Sequence, residues 1–309
     1  MLSKILKFVV IGNVISVKTH RLKVPFLKQD HPFACVAEGN VGTELKLFDL
    51  FFDSLDRENR FSNSLFIENL RKCEIVIGSN IRSDYYRNLT TCEGLFRLSA
   101  LGFIRNCFDK NEFERLIQES FSLVLMTHGS PVALISGLLI ASSVSYILRN
   151  GDLKHLQNFL VENILNHRFL KDFLNERFDG ENEKEYIFKD LNDVIRNAIL
   201  HLKNSLEVKN NDIEEILMYL KENKCVISNF TCALNILPLL NDYLQMAEYI
   251  LSNFYVTEFF STFLSLLYGI VNTEDNNIAI FDEPLEKNEQ LKDFLNGLNK
   301  KMDSLVSSN

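Results

Sequence analysis

The chain has 309 residues, of which 46% are hydrophobic and 24% charged, ordinary globular values that exclude wholesale disorder. Lysine and arginine number 33 against 41 aspartates and glutamates. The resulting net charge of −8 argues against general nucleic-acid binding, whose affinity comes largely from neutralising phosphates. Glycine at 12 and proline at 5 are too scarce for collagen-like, linker-rich or many-turned all-β architectures.

At the start, lysines precede an apolar stretch that runs through Val17 and is broken by Gly12-Asn13. No small-residue cleavage site follows before His20-Arg21, so a cleaved signal peptide is not expected. After Gly42, Thr43 can cap a helix with Leu45, Phe48, Phe52 and Leu55 on one face. Asp109 and Glu112 form a D-x-x-E start that leads into Phe113, Leu116, Ile117, Ser120 and Val124 at helical spacing. Ser130 then offers an N-cap, Pro131 stands at the first helical position and Gly151 closes the end. The window from Pro131 to Leu148 is just long enough to span a bilayer but contains Ser136, Ser142, Ser143 and Ser145. It reads as a buried helix rather than a membrane span.

Asp152 is expected to open a helix with Leu153, Leu156, Phe159 and Leu160. Ile187 to Leu202 has the pattern of a long amphipathic helix, and Ile213, Ile216, Leu217 and Leu220 that of a shorter one. Thr231 to Leu240, Tyr243 to Phe254 and Thr257 to Val271 read as three more, and Glu289 to Leu305 as a charged terminal helix. Alternating strands and fixed-period repeats are absent from the sequence. The expected architecture is all-α, compact and a single domain over residues 1–309.

The six cysteines, at 35, 73, 92, 107, 225 and 232, include no C-x-x-C pair and no zinc-type set with histidines, which points to a reduced, intracellular chain. Histidines 20, 31, 128, 155, 167 and 201 form no H-x-x-x-H pair, and 155, 167 and 201 are expected at the surface. Asn88-Leu89-Thr90 and Asn229-Phe230-Thr231 match the glycosylation triplet but are expected unmodified in such a chain. Phe178-Asp179-Gly180-Glu181-Asn182-Glu183 lacks the calcium-loop spacing and reads as a solvated connection. No Walker, G-x-S-x-G or G-x-G-x-x-G motif occurs.

Five segments carry a further signal. Thr127-His128-Gly129-Ser130-Pro131 precedes the small-residue-rich stretch Val132 to Leu148 and Gly151. Upstream lie Thr91-Cys92-Glu93-Gly94-Leu95-Phe96-Arg97-Leu98-Ser99-Ala100-Leu101-Gly102, then Gly39-Asn40-Val41-Gly42-Thr43-Glu44-Leu45, then Gly12-Asn13-Val14-Ile15-Ser16. Downstream is Val271-Asn272-Thr273-Glu274-Asp275-Asn276-Asn277-Ile278-Ala279. In this order, across residues 12–279, the segments resemble the ADP-ribosylglycohydrolase family: its T-H segment and buried helix, its G-N-G-x-x-M-R stretch, T-D-D-T, G-D-A-x-G and N-x-G-G-D-x-D-T-x-A. The resemblance implies an all-α fold that hydrolyses the bond joining ADP-ribose to an acceptor, using two magnesium ions held by the T-D-D and D-x-D-T positions.

Those positions are substituted. The first set here is Asn40, Val41 and Gly42, and the second is Glu274, Asn276 and Asn277. Asn13 replaces the aspartate of G-D-A-x-G, and His20 falls where a further carboxylate is expected. Two magnesium ions bring four positive charges together, and of the four aspartate positions in these motifs one carboxylate, Glu274, remains to offset them. The expectation is therefore a degenerate member without catalytic residues, metal ligands or cofactor, acting as a ligand-binding or protein-interaction pseudoenzyme. By resemblance, Gly94, Arg97, Thr127, His128, Glu274 and Asn276 would line an ADP-ribose-like site, the amide end of the Pro131 helix suiting an anion. Arg97 could equally satisfy helix carbonyls, and His128 could cap the preceding helix. The expected partners are ADP-ribose, an ADP-ribosylated protein or another protein, with no nucleic acid and no membrane. The expected location is cytoplasmic, with delivery into another cell left open. Two alternatives stand beside it: an active ADP-ribosyl hydrolase with altered or reduced metal dependence, and a protein-interaction factor without a small-molecule site.

Overall fold

A computed structural model describes residues 1–22, 36–73, 92, 94–150, 152–166, 196–198, 200, 212–252 and 256–306. The described chain is helical, and its β-structure is limited to one isolated bridge between Leu55 and Phe61. Chain order runs α1 (Leu2–Leu22), α2 (Thr43–Phe52), α3 (Asn63–Lys72), α4 (Leu98–Ile104), α5 (Lys110–Leu125), α6 (Pro131–Asn150) and α7 (Leu156–Phe159). It continues with α8 (Ile213–Glu222), α9 (Val226–Ile236), α10 (Tyr243–Ser252), α11 (Glu258–Val271), α12 (Asp282–Glu286) and α13 (Glu289–Val306). The all-α expectation is met. The contacts group the chain into two compact units: Met1–Ile75, Asn211–Asn223 and Cys232–Asn309 in the first, and Val76–Asn210 and Lys224–Thr231 in the second.

The first unit is organised on α1 and α11, which run antiparallel. Gly12 faces Ser265 and Ser261, while Gly269 faces Phe8 and Ile5. Helix α1 therefore passes unbroken through Gly12-Asn13, because the missing side chain lets the partner helix approach. A Cβ on Gly12 would stand 1.8 Å from Ser265 Oγ. Toward the α11 C-terminus, Phe8 meets Tyr243 and Tyr268 edge-on with ring centroids 4.7 and 5.5 Å away. Tyr243 is fully buried and donates its hydroxyl to the Phe8 carbonyl at 2.8 Å; burial pushes its phenol well above the ordinary value. Helix α13 is tied to α2 by Lys301, which donates to Asp49 at 2.7 Å and Asp53 at 2.8 Å.

The second unit wraps α4 and α5 around α6. Gly102 lies so close to α6 that a Cβ would meet the Ala141 carbonyl at 2.6 Å, and one on Gly137 would meet Val124 of α5 at 2.5 Å. Leu138, Leu139, Ile140 and Ala141 are completely buried, as the all-round apolar pattern requires. Helix α6 is the one described helix long and apolar enough to cross a membrane, and 83% of that window is buried within the structure. The Asp109 carboxylate caps α5 by accepting from the Glu112 amide at 3.0 Å, as its D-x-x-E spacing predicts. The partly buried Glu119 carboxylate takes both Nε and Nη2 of Arg105, at 2.8 and 2.7 Å.

Several helix boundaries differ from the sequence expectation. Asp152 makes a turn instead of starting a helix, since its side chain accepts from the Lys154 amide at 2.8 Å; α7 starts at Leu156 and passes into a π-helix at Leu160–Leu165. Helix α9 begins at Val226, before the expected Thr231, because Val226, Ile227 and Phe230 continue its buried face. The Asn229 triplet thereby lies inside a helix with the asparagine buried, its Nδ2 donating to the Cys225 carbonyl at 3.0 Å. Cysteines 92, 107 and 232 are buried, Cys225 is half-buried, and Cys73 is exposed. The Ile187–Leu202 helix falls almost entirely outside the described residues, apart from helical Arg196–Ala198 and Leu200. The acidic 178–183 segment, the Asn88 triplet, Cys35, Glu93, Gly151 and histidines 31, 167 and 201 also lie outside them.

Candidate functional site

The sequence-derived site residues fall into two groups. In the second unit, Gly94 adopts a φ of 77°, a conformation that strains any side-chain-bearing residue, within a turn closed by the Leu95 amide on the Cys92 carbonyl at 3.1 Å. The turn delivers Arg97 to the end of α5. There its Nη2 donates to the Leu123 carbonyl at 2.8 Å and to Thr127 Oγ1 at 2.6 Å. Thr127 Oγ1 also lies 2.8 Å from His128 Nδ1. The His128 amide closes α5 on the Val124 carbonyl at 2.7 Å. Gly94, Arg97, Thr127 and His128 thus form one buried group, with Arg97 0% and His128 1% exposed. In this state Arg97 satisfies a helix-end carbonyl, one of the two roles its sequence position allowed.

Glu274 and Asn276 belong to the first unit, where both are exposed in the turn after α11. Lys4 Nζ donates to Asn276 Oδ1 at 3.2 Å, and Asp275 between them accepts from the Tyr268 hydroxyl at 2.6 Å. These residues sit at the opposite end of the α1–α11 pair from Asn13. Along α1, Lys4 stands about 14 Å from Asn13, and α11 itself spans about 20 Å.

Around Asn13 the structure assembles a different group, in which the Gly12 and Gly39 segments meet. Asn13 Oδ1 accepts from the Gly42 amide at 2.8 Å, while its Nδ2 donates to Glu258 Oε1 and to Thr262 Oγ1, each at 3.0 Å. Glu258 Oε1 also accepts from the Glu44 amide at 2.7 Å. Gly42, the N-cap of α2, has no side chain to offer, so Glu258 caps that helix from across the fold. The same carboxylate stands in the first turn of α11, whose N-cap Thr257 accepts from the Phe260 amide at 3.1 Å. Its negative charge therefore faces the partial positive ends of two helices. Sequence reading identified Thr257 as a helix start but overlooked Glu258 and Thr262; a carboxylate in the first turn with a threonine one turn later was the available signal.

The two-magnesium centre that the resemblance implies does not fit these residues. Asn13 Oδ1 and Glu258 Oε1 are engaged by protein N–H groups, and Gly42 would contribute backbone alone. A valine at 41 has no side-chain oxygen. Among the described residues, no three or more histidine, cysteine, aspartate or glutamate side chains converge as a cation would require. No protein-family model matches the chain, and no curated protein matches it.

Proposed function

We propose that the chain is an ADP-ribosylglycohydrolase-like pseudoenzyme that acts by binding, with a protein partner, ADP-ribosylated or not, as its target in place of a hydrolysed substrate. The observation that carries this reading is the hydrogen bond from the Gly42 amide to Asn13 Oδ1 at 2.8 Å. It joins two segments, far apart in sequence, that belong to the same ordered resemblance, the one around Gly42 being a stretch that the resemblance assigns to the metal centre. The Arg97–Thr127 hydrogen bond at 2.6 Å adds support, because it joins two further segments of the same resemblance. Glu258 and Thr262, which the resemblance did not name, stand beside Asn13. A protein target is favoured over free ADP-ribose because Arg97 and His128 are buried and occupied with helix-end groups.

Calorimetry with ADP-ribose, with and without millimolar magnesium, tests the reading together with turnover of ADP-ribosylated arginine and serine peptides. The expected result is no turnover and no effect of magnesium on binding. Clear turnover that is lost on chelation would overturn it in favour of an active hydrolase. Absence of binding to both ADP-ribose and the modified peptides would remove the nucleotide from the proposal and leave a protein-docking scaffold.

A further inference from the structure

Residues 36–42 run beside α1 at Asn13, Val17 and Lys18 and are held by side chains from distant parts of the chain. At one end, Asn288 Nδ2 donates to the Val36 carbonyl at 3.0 Å and the Gly39 carbonyl at 2.9 Å. The same residue caps α13, its Oδ1 accepting from the Leu291 amide at 3.2 Å. At the other end, the Gly42 and Glu44 amides are bound by Asn13 Oδ1 and Glu258 Oε1 at 2.8 and 2.7 Å. Between these anchors Asn40 is exposed and Val41 half-buried. An exposed ion pair from Lys18 to Glu38 at 3.0 Å adds little in water. Gly42 lies directly on its anchors, since a Cβ there would stand 2.2 Å from Glu258 Oε1 and 2.4 Å from Val17 Cγ2. Beneath it, Asn13 and Thr262 are completely buried.

We propose that residues 36–42, together with the first turn of α2, form a strap, latched by Asn288 at one end and by Asn13 and Glu258 at the other, that opens as a unit while α1 and α11 stay folded. Val36 is buried at one end, but from Gly39 to Gly42 the segment is fixed mainly by hydrogen bonds to side chains, and such a segment opens at lower free energy than helices packed through buried apolar faces. Opening presents the Asn13 amide, the Thr262 hydroxyl and the Glu258 carboxylate to solvent. The closed strap satisfies two of these groups with its own backbone amides, so the structure captures the latched state.

Amide hydrogen exchange on the full chain tests the strap with two variants. Asn288→Asp keeps the oxygen that caps α13 but removes the donor to Val36 and Gly39; Glu258→Gln removes the charge at the other latch. Asn288→Asp is expected to speed exchange at the Gly42 and Glu44 amides about tenfold, the effect of one hydrogen bond of ordinary net strength. Interior amides of α1 and α11, such as those of Val10 and Leu266, should keep wild-type protection. Glu258→Gln is expected to act on the same two amides. If Asn288→Asp leaves Gly42 and Glu44 unchanged, the two ends open separately and the proposal fails. If strap and interior amides accelerate by the same factor, opening is global unfolding, and the proposal fails equally.

Discussion

Replacing Gly12 by alanine should destabilise the first unit, although alanine is the better helix former. Two effects oppose each other. An alanine in mid-helix gains roughly 0.5–1 kcal/mol over glycine from backbone entropy. Against this, the added methyl would stand 1.8 Å from Ser265 Oγ, 2.7 Å from Ser265 Cβ and 3.3 Å from the Ser261 carbonyl oxygen. Rotation of the hydroxyl relieves the first contact but not the second, so α1 and α11 must separate, and overpacking of this kind costs roughly 1–3 kcal/mol. The net expectation is a loss of about 1–2 kcal/mol, the clash outweighing the propensity gain. Gly297 provides the control, because it lies within α13 with no atom inside 4 Å of its virtual Cβ. Gly297→Ala should therefore gain about 1 kcal/mol, the propensity effect alone. Urea denaturation of both variants, followed by helical circular dichroism, measures the two shifts in opposite directions. A Gly12→Ala protein as stable as wild type would refute the close α1–α11 crossing on which the Asn13 junction depends.

Asp109→Ala should cost about 1 kcal/mol by removing the cap of α5, read as a lower urea midpoint of the second unit. Val256→Ile should gain up to about 0.8 kcal/mol by adding a methylene to a small apolar cavity bordered by Ile213, Leu217, Met246 and Phe260, while loss of stability would show the cavity too tight to fill. Lys301→Met should cost about 1–2 kcal/mol at neutral pH, discounted for partial exposure, because it strands Asp49 and Asp53. Burial holds Asp49 above its ordinary pKa even beside Lys301, so the native state takes up its proton more readily than the unfolded chain. The cost of Lys301→Met must then shrink as pH falls through that raised value, and equal costs at pH 4 and pH 7 would contradict it. Burial acts to lower the Lys301 pKa, but hydrogen bonds to Asp49 and Asp53 outweigh it and raise the value. The stabilisation from Lys301 is thus complete between the carboxylate range and its own ordinary pKa, and lost as alkaline pH passes the folded value.

The helices were legible where local chemistry and burial agree. Ile213, Ile216, Leu217 and Leu220 are all buried on α8, and Asp109 caps α5 through its side chain, because spacing and capping are properties of neighbouring residues. Asp152 misled because an Asx turn and a helix N-cap use the same side-chain oxygen in the same local way. The Arg97–Thr127–His128 group was legible from ordered segments, and its complete burial was not, since burial depends on what packs over the turn. Helix-end residues such as Glu258 are hardest to read. Its role as the cap of α2, 214 residues earlier in the chain, depends on a contact that no local pattern encodes.

The same contact explains why the polar junction is self-consistent as it stands. Asn13 places a donor against a carboxylate and a hydroxyl, and an acceptor against a backbone amide, so each atom of its amide meets a complementary group. An aspartate in its place would put a second carboxylate about 3 Å from Glu258 Oε1 and forfeit both donations. A serine or alanine would be too short to reach α11 and the Gly42 amide together. Glu258 in turn carries a charge that the two facing helix ends help to balance. Amide and carboxylate are therefore matched to each other and to a glycine at 42, whose absent side chain leaves the space the carboxylate fills. Substituting any one of the three leaves the other two with an unmet charge, an unmet hydrogen bond or a clash. This is why residues so far apart in sequence act as one structural unit.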